Sequence, residues 1–348
     1  MDLLILGISF VVILLGAELF TNGIEWFGRK LELAEGAVGS VLAAVGTALP
    51  ETMIPIIAIA FASGAGNDAI GVGAILGAPF MLATLAMFVT GLAVMSQARH
   101  RAAGDVMPVD ARVLSADMKT FGIVYGLAVG AAFLPIEPAW PKAVVAIALL
   151  LIYGWYVKAH FEADPEVDAE DLAPLRFRRL DPAHRRSPGP PRLRVVNLQV
   201  LAALGLIIVG AIAFVGAVEG IAHALGVSEL LLALVIAPIA TELPEKANSI
   251  IWVRHGKDTL AMGNITGAMV FQASIPTVVA LVLAPSAWAI GPATVVAFAS
   301  AGIAFASAAA IFLPMARSGR LTGRGLLIGG PFYLAYVAIV VVAILNPA

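Results

Sequence analysis

The sequence predicts an all-α integral membrane protein built from two repeated halves, and three observations predict this fold. Of the 348 residues, 60% are hydrophobic and only 13% are charged, which is typical of a chain that crosses a membrane many times. The apolar residues fall into runs of about 20, the length that spans the hydrocarbon core of a bilayer. Finally, a six-residue phrase occurs once in each half of the chain.

Ten apolar runs are predicted to be transmembrane helices, five on each side of a charged stretch. We predict a first five-helix repeat over residues 1–160, a cytoplasmic charged linker over 161–196 and a second five-helix repeat over 197–348. The first run has no basic residue before it and two after it, the reverse of a cleavable signal peptide, so we expect it to be retained. The predicted spans are 2–22, 36–62, 69–95, 118–135, 141–160, 197–218, 228–253, 259–284, 288–314 and 325–346.

The basic residues predict the orientation of these helices. If the amino terminus lies outside, all but two of the 21 lysine and arginine residues fall in cytoplasmic connections, the exceptions being Lys142 and Lys246. Such a bias is what the positive-inside rule describes for a correct topology. We therefore expect a multi-pass protein of the cell membrane with both termini outside.

The repeated phrase places glutamate side chains within apolar runs that are predicted to span the membrane. A charge at the centre of a bilayer costs about 2.5 kcal/mol or more and marks an ion pathway. Threonine and glutamate are four residues apart in both copies, so they share one helix face. The proline frees the carbonyl four residues back, and the phrase therefore predicts a broken helix whose oxygens bind a hard cation. The two copies are Gly46-Thr47-Ala48-Leu49-Pro50-Glu51 and Ala240-Thr241-Glu242-Leu243-Pro244-Glu245.

The two phrases belong to a longer repeat. Glu35, Thr47, Pro50 and Glu51 each recur 194 residues later, and the run 73–78 matches 263–268 at an offset of 190. Because each half has five spans, the second half enters the membrane from the opposite side. We predict two inverted repeats whose broken helices meet at the midplane. Small residues in the third and eighth spans are predicted to let those helices approach the phrase-bearing helices closely.

These motifs resemble the cation/calcium exchanger superfamily, most closely its prokaryotic sodium/calcium exchangers. In that family each repeat carries Gly-Thr-Ser-Leu-Pro-Glu and then Gly-Asn-x-x-Gly-Ser, with asparagine or aspartate four residues after the last serine. The resemblance covers both repeats and implies binding of sodium and calcium ions in alternating access across the membrane. It implies ion-binding roles for Thr47, Glu51, Thr241 and Glu245, which keep the family's identities.

The chain departs from the family pattern at several positions, and six of these concern side-chain ligands. The phrase serine is replaced in both halves, as are the later serine and the asparagine or aspartate, by Ala48, Glu242, Ala78, Ala268, Leu82 and Gln272. Glu242 is then either a further ligand or the partner of Lys246, four residues on, in a buried ion pair. Gln272 either coordinates a cation through its carbonyl oxygen or bonds across helices.

The central stretch divides by charge. Acidic residues lie over 162–171 and seven arginines over 176–194. We expect a solvated linker between two membrane halves. The alternatives are contact between its basic part and anionic lipid and a regulatory calcium site on its acidic part, which lacks a loop-forming glycine pattern.

Together these features predict a secondary antiporter that exchanges a divalent cation, Ca²⁺, against Na⁺ or H⁺. We expect no cofactor beyond the transported ions, no nucleic-acid partner and no enzyme activity, since the spans carry no hydrolase or nucleotide-binding motif. The alternatives are an H⁺-coupled or Na⁺-only exchanger, a cation channel and a transport-impaired homologue. The predicted ion ligands are Thr47, Glu51, Thr241, Glu242, Glu245 and Gln272, with the metal charge balanced by the three glutamates.

Cysteine labelling checks the predicted topology, because the chain has no cysteine of its own. Ser187→Cys in the linker is expected to resist a membrane-impermeant thiol reagent in sealed cells and to react after permeabilisation. Glu137→Cys, between the fourth and fifth predicted spans, is the matched control and is expected to react in sealed cells. Labelling of the linker cysteine before permeabilisation would reverse the orientation.

Overall fold

The protein is mostly helical in this computed structural model, which describes residues 1–30, 49–61, 67–163, 173–180, 191–254 and 256–345. Two π-helical turns, Ile57–Phe61 and Leu82–Ala86, follow α2 and α3, and a two-stranded antiparallel sheet pairs β1 (Val106–Met107) with β2 (Leu321–Thr322). The helices are α1 (Asp2–Lys30), α2 (Leu49–Ile56), α3 (Asn67–Met81), α4 (Met87–Gln97), α5 (Ala111–Gly130), α6 (Trp140–Ala163), α7 (Leu193–Leu225), α8 (Glu229–Arg254), α9 (Asp258–Leu283), α10 (Val295–Ser318), α11 (Gly323–Leu326) and α12 (Gly329–Leu345).

Within the described residues, eight helical stretches are long and apolar enough to cross a membrane. They match eight of the ten predicted spans and support the all-α membrane fold. Of the other two, span 36–62 has its residues 36–48 outside the described part, and span 228–253 is helix α8. The ten-helix count therefore stays a prediction. The eight stretches are Asp2–Ile24, Asn67–Gln97, Ala111–Phe133, Trp140–Ala159, Leu193–Leu225, Asp258–Leu283, Val295–Ser318 and Gly323–Ala343.

The second phrase lies in an unbroken helix, which corrects the break predicted there. Helix α8 is continuous from Glu229 to Arg254, although Pro238 and Pro244 both fall inside it. A proline removes one donor and frees one carbonyl, but the hydrogen bonds on either side persist, so the helix continues through it. In the first half, α2 begins at Leu49, inside the phrase, and the preceding residues lie outside the described part.

Two helix pairs form the most extensive packing: α1 lies along α7, and α3 lies along α8. The approach of α3 to α8 requires glycine, because a Cβ at Gly73 would lie 2.3 Å from the Leu230 carbonyl oxygen and one at Gly77 would lie 2.2 Å from that of Leu234. The predicted close approach of the third span is thus observed. The matching run in α9 shows no such approach among the described residues, since a Cβ at Gly263 would meet no atom within 4 Å.

The two halves pack against each other in a reciprocal way. Helix α9 of the second half contacts α5 and α6 of the first, while α3 contacts α10 and the following π-turn contacts α12. The π-turn Leu82–Ala86 is held by the second half, because the Ser307 hydroxyl donates to the Ala83 carbonyl at 2.6 Å. Gly329 lies so close to the turn that a Cβ there would be 2.3 Å from the Thr84 carbonyl oxygen.

Two helix boundaries differ from the predicted ones for identifiable reasons. Helix α5 begins at Ala111 rather than at 118, because the Asp110 side chain caps it by accepting from the Arg112 N–H at 2.8 Å. Helix α10 begins at Val295 rather than at 288, because the preceding loop is fixed elsewhere: the Trp288 indole N–H donates to the Ala128 carbonyl at 2.8 Å.

Part of the linker contacts the ends of two helices. In the stretch Ala173–Leu180, Leu175 is only 3% exposed, and the Phe177 N–H donates to the Gln199 side chain of α7 at 2.8 Å. The Trp26 indole of α1 donates to the Ala173 carbonyl at 2.9 Å. The stretch therefore bridges the ends of α1 and α7 through Leu175 and these two hydrogen bonds, while its other side chains remain exposed or half-buried.

The α3–α8 contact gives a stability prediction. Gly77→Ala would push a Cβ into the α8 backbone, and overpacking of this kind costs about 1–3 kcal/mol. We expect a lower thermal unfolding midpoint for the purified protein in detergent. Gly126→Ala is the matched control, because a Cβ at that position of α5 would meet nothing within 4 Å. Equal midpoints for the two variants would contradict the required close approach.

Candidate functional site

The first phrase contributes a buried carboxylate. Glu51 lies in the first turn of α2 and is 7% exposed, although it belongs to an apolar segment predicted to cross the membrane. The neighbouring Thr52 is 9% exposed. Thr47 and Ala48 lie outside the described residues, so the predicted pairing of Thr47 with Glu51 stays a prediction.

The second phrase contributes a buried hydroxyl. Thr241 of α8 is 2% exposed, and its hydroxyl donates to the Ala237 carbonyl at 3.1 Å, which leaves the oxygen lone pairs available to a cation. Ser249, two helical turns later on the same face, is fully buried. The side chains of Glu242, Glu245 and Lys246 lie outside the described part, so the choice between a ligand role and an ion pair for Glu242 stays open.

Helix α9 contributes a buried amide. Gln272 is only 3% exposed. The amide oxygen is a suitable ligand for a hard cation. Eight residues earlier, Asn264 donates to the Ser249 hydroxyl of α8 at 3.5 Å, which links the glycine-rich run of α9 to the helix that carries the second phrase.

The corresponding positions of the first half contribute no side-chain oxygen. Ala78 is 3% exposed and Leu82 is fully buried in the hydrophobic core, where Leu82 begins the π-turn. The two halves are therefore chemically unequal: α9 carries the amide of Gln272 at the position that corresponds to Leu82, which directly follows α3.

The helices that carry Glu51, Thr241 and Gln272 converge. Helices α2, α8 and α9 each contact the other two. The described residues contain no group of three or more histidine, cysteine or acidic side chains close enough to hold a metal ion. The described part therefore contains one carboxylate, one hydroxyl and one amide on three helices that pack against one another. Two further predicted ligands, Glu242 and Glu245, belong to α8.

A second buried carboxylate, Asp258, is neutralised within the protein. It lies in the first turn of α9 and forms a two-point ion pair with Arg101, whose Nη1 is 2.9 Å from Oδ1. The same guanidinium donates to the Val253 carbonyl at 2.8 Å. Because Arg101 balances its charge, we exclude Asp258 from the candidate ion site.

A third buried carboxylate, Asp117, is not among the residues predicted from the sequence. It lies in α5, is 1% exposed, and accepts hydrogen bonds from Tyr156 of α6 at 2.8 Å and from Thr266 of α9 at 2.5 Å. The predicted fourth span began at residue 118 and so left Asp117 in a loop. The capping residue Asp110 was the available signal, because it places the start of the helix early enough to include Asp117.

Comparison with known proteins gives a consistent result. The family model described as sodium/calcium exchanger protein matches residues 1–160 and 196–345. A protein of Alkalimonas amylolytica that is named as an antiporter, CaxA, is 24% identical over 283 residues, covering 80% of this chain and 79% of that protein. An uncharacterised membrane protein of Methanocaldococcus jannaschii is 25% identical over 276 residues, covering 76% of this chain and 78% of that protein.

Two solved structures share the fold. The H⁺/Ca²⁺ exchanger CAX superposes with a TM-score of 0.71 at 15% identity, covering all of this chain and 82% of that one. The sodium-calcium exchanger NCX_Mj, soaked with Na⁺ and Sr²⁺, superposes with a TM-score of 0.56 at 17% identity, covering 97% of this chain and 99% of that one. At these identities the likeness concerns the fold alone.

The Arg101–Asp258 pair gives a prediction about which buried acid is structural. Arg101→Gln leaves a buried carboxylate uncompensated and is expected to cost about 3–5 kcal/mol of stability. Arg101→Gln combined with Asp258→Asn is expected to recover part of that loss. Arg99→Gln, an exposed arginine in the same loop, is the matched control. A thermal midpoint for Arg101→Gln equal to that of the control would show that Asp258 is not held by this pair.

Proposed function

The chain belongs to the sodium/calcium exchanger protein family and is a membrane antiporter rather than an enzyme; from this premise we propose that it exchanges a divalent cation, Ca²⁺, against H⁺ or Na⁺ by alternating access. The observation that carries the proposal is the burial of Glu51, Thr241 and Gln272 on three mutually packed helices. Carboxylate, hydroxyl and amide oxygens together form the ligand type that a hard divalent cation takes.

We propose that the remaining ligands come from the parts of the phrases outside the described side chains. Glu245 is flanked on α8 by the buried Thr241 and Ser249, each four residues away, and residues at this spacing share a helix face. Thr47 completes the same arrangement for Glu51. Glu242 supplies a third carboxylate unless it pairs with Lys246.

Charge explains why such a site exchanges ions rather than leaking them. Carboxylates that share one low-dielectric site repel each other unless cations or protons neutralise them. An empty, fully ionised site is therefore costly to move across the membrane, whereas a loaded site is not. Transport in one direction is then tied to return transport of a competing cation.

The proposed architecture is ten spans in two inverted repeats, with both termini outside and the linker in the cytoplasm. The reciprocal packing of α9 on α5 and α6, and of α3 and its π-turn on α10 and α12, supports this arrangement. A repeat that enters the membrane from the opposite side produces such paired contacts. The distribution of lysine and arginine supports the orientation.

The identity of the counter-ion is the finer part of the proposal. One structural relative exchanges H⁺ and Ca²⁺, as its name states, and the other is a sodium-calcium exchanger. This chain has hydrocarbon at Ala78 and Leu82, so its first half offers fewer oxygen ligands for additional cations. The loss favours H⁺ as the counter-ion over several Na⁺ ions, with a Na⁺-only exchanger, a channel and a transport-impaired homologue as the alternatives.

The counter-ion can be identified by flux measurements on purified protein in proteoliposomes. Uptake of isotopic calcium is measured with an outward proton gradient or an outward sodium gradient, each imposed alone. Acceleration by the proton gradient alone supports H⁺ exchange, and acceleration by sodium alone supports Na⁺ exchange. Calcium flux that needs no counter-ion would indicate a channel.

The twin glutamates are expected to be indispensable for divalent transport. Glu51→Gln and Glu245→Gln each keep the side-chain shape and remove a charge that balances the cation, so calcium uptake should fall to background in both. Glu18→Gln is the matched control, because this glutamate of α1 is 58% exposed and pairs with Arg176 at the surface. Near-normal uptake by either phrase variant, with normal folding, would overturn the proposed site.

A further inference from the structure

Helix α9 contains a buried proline beside the candidate ion site. Pro276 lies inside this continuous helix, four residues after Gln272, and both residues are buried. Residues at this spacing share one helix face, so the proline ring and the Gln272 amide lie on the same inward-packed side. Gln272 is also near the middle of α9 (Asp258–Leu283), the level expected for an ion site between inverted repeats. The same spacing joins Glu51 to Pro55 in α2.

The proline removes a backbone donor from the carbonyl of Gln272. In an α-helix each carbonyl oxygen accepts a hydrogen bond from the N–H four residues later, and proline has no N–H. The main-chain carbonyl of Gln272 therefore lacks its helical donor. A backbone polar group without a partner is costly inside a membrane, so a proline in a spanning helix is tolerated where another group replaces the missing donor.

The two side-chain hydroxyls nearest to Pro276 do not replace this donor. The Ser274 hydroxyl donates to the Val270 carbonyl at 2.6 Å. The Thr277 hydroxyl, directly after the proline, is fully buried and has no hydrogen-bond partner within the described residues. The missing donor to Gln272 is thus not supplied by a hydroxyl on this turn of α9.

A carbonyl that loses its donor in the same way in α8 is covered by the protein. Pro238 removes the helical donor of the Leu234 carbonyl. Helix α3 packs directly on that oxygen, because a Cβ at Gly77 would lie only 2.2 Å from it. At Leu234 the helix contact itself therefore occupies the space in front of the carbonyl.

The first half has an irregular backbone at the position that corresponds to Pro276. The π-turn Leu82–Ala86 matches residues 272–276 at the offset of 190. One carbonyl of this turn, that of Ala83, accepts a hydrogen bond from the Ser307 hydroxyl at 2.6 Å. Both halves thus depart from regular helical hydrogen bonding at one level, and in the first half a side chain of the scaffold uses the carbonyl.

We propose that the main-chain carbonyl of Gln272 is a ligand of the transported divalent cation, and that Pro276 is the positioning residue that makes this carbonyl available. The inference rests on the proposed function and extends its ligand set. Calcium takes about six to eight oxygen ligands, and backbone carbonyls are regularly among them. A carbonyl adds an oxygen to the site without adding charge.

The assignment offsets oxygen ligands that the chain lacks. Ala78, Ala268 and Leu82 stand where the family pattern has side chains that bear oxygen. Where the pattern has asparagine or aspartate in the second half, Gln272 offers two neutral oxygens, the side-chain amide and the main-chain carbonyl. The glutamates then balance the charge of the cation, while the neutral oxygens raise the number of ligands toward the number that calcium takes.

Two substitutions at position 276 test the missing donor. Pro276→Ala restores the N–H, whereas Pro276→lactic acid, the hydroxy acid corresponding to alanine, has an ester oxygen there and no N–H. We expect Pro276→Ala to weaken equilibrium binding of isotopic calcium by about tenfold, the lower end of the effect of altering a group that contacts a metal ligand. KM for calcium uptake should rise without a fall in kcat. Pro276→lactic acid is expected to keep the affinity of the parent.

Pro314→Ala is the matched control. Pro314 lies inside α10, is exposed, and removes the helical donor of the Ala310 carbonyl. Because alanine favours a helix interior over proline, both alanine variants are expected to raise the thermal unfolding midpoint. Only Pro276→Ala is expected to weaken calcium binding as well. A purely structural role of Pro276 would change the midpoint alone.

The possible outcomes separate this inference from the proposed function. Equal calcium affinity in the parent and Pro276→Ala would overturn the inference, and so would an equal loss of affinity in Pro276→Ala and Pro276→lactic acid. Should Pro276→Ala not fold, weakened binding by Pro276→lactic acid overturns it instead. A parent protein that neither binds nor transports calcium would overturn the proposed function, and the inference with it.

Discussion

The cost of placing a charged carboxylate inside a membrane is the constraint on which the arrangement of this protein depends. Each buried acid with a described side chain meets that cost differently. Asp258 is neutralised by Arg101, Asp117 receives hydrogen bonds from two hydroxyls, and Glu51 lies beside helices that offer further oxygen ligands. The Asp258–Arg101 pair is a structural solution, because removing one partner would leave the other as an uncompensated buried charge.

Such sites need helices that approach closely and keep a fixed position relative to one another, and the helix packing provides this close and fixed arrangement. Glycines at 73 and 77 let α3 lie directly on the backbone of α8, so the helix with the second phrase is supported along its length. The loop after α4 then connects the halves at one end: Arg101 contacts the end of α8 and the start of α9, and β1 pairs with β2 before α11. The phrase-bearing helix is thus held by the first half both near its beginning and at its end.

Sequence reasoning predicted the membrane fold, eight of the spans and the third-span glycine contact, because these follow from hydropathy and from local spacing. The break predicted at Pro244 is wrong, because one lost backbone hydrogen bond does not interrupt a helix that is also stabilised by packing along α3. It missed Asp117 because a helix start was set by hydropathy, which ignores the capping Asp110. The partners Tyr156 and Thr266 are 39 and 149 residues away in the chain, and no local pattern relates them to Asp117.

The two halves differ in the polar side chains that their corresponding helices carry. In the first half, Leu82 begins a π-turn that Ser307 and Gly329 hold from the second half, so this part of the repeat serves as hydrophobic scaffold. In the second half, α9 carries Asn264, Thr266 and Gln272, each on a different part of its circumference. Through these residues α9 contacts Ser249 of α8 and Asp117 of α5 and carries the amide of the candidate ion site. The asymmetry between α3 and α9 is therefore the feature from which ion selectivity in this antiporter is best derived.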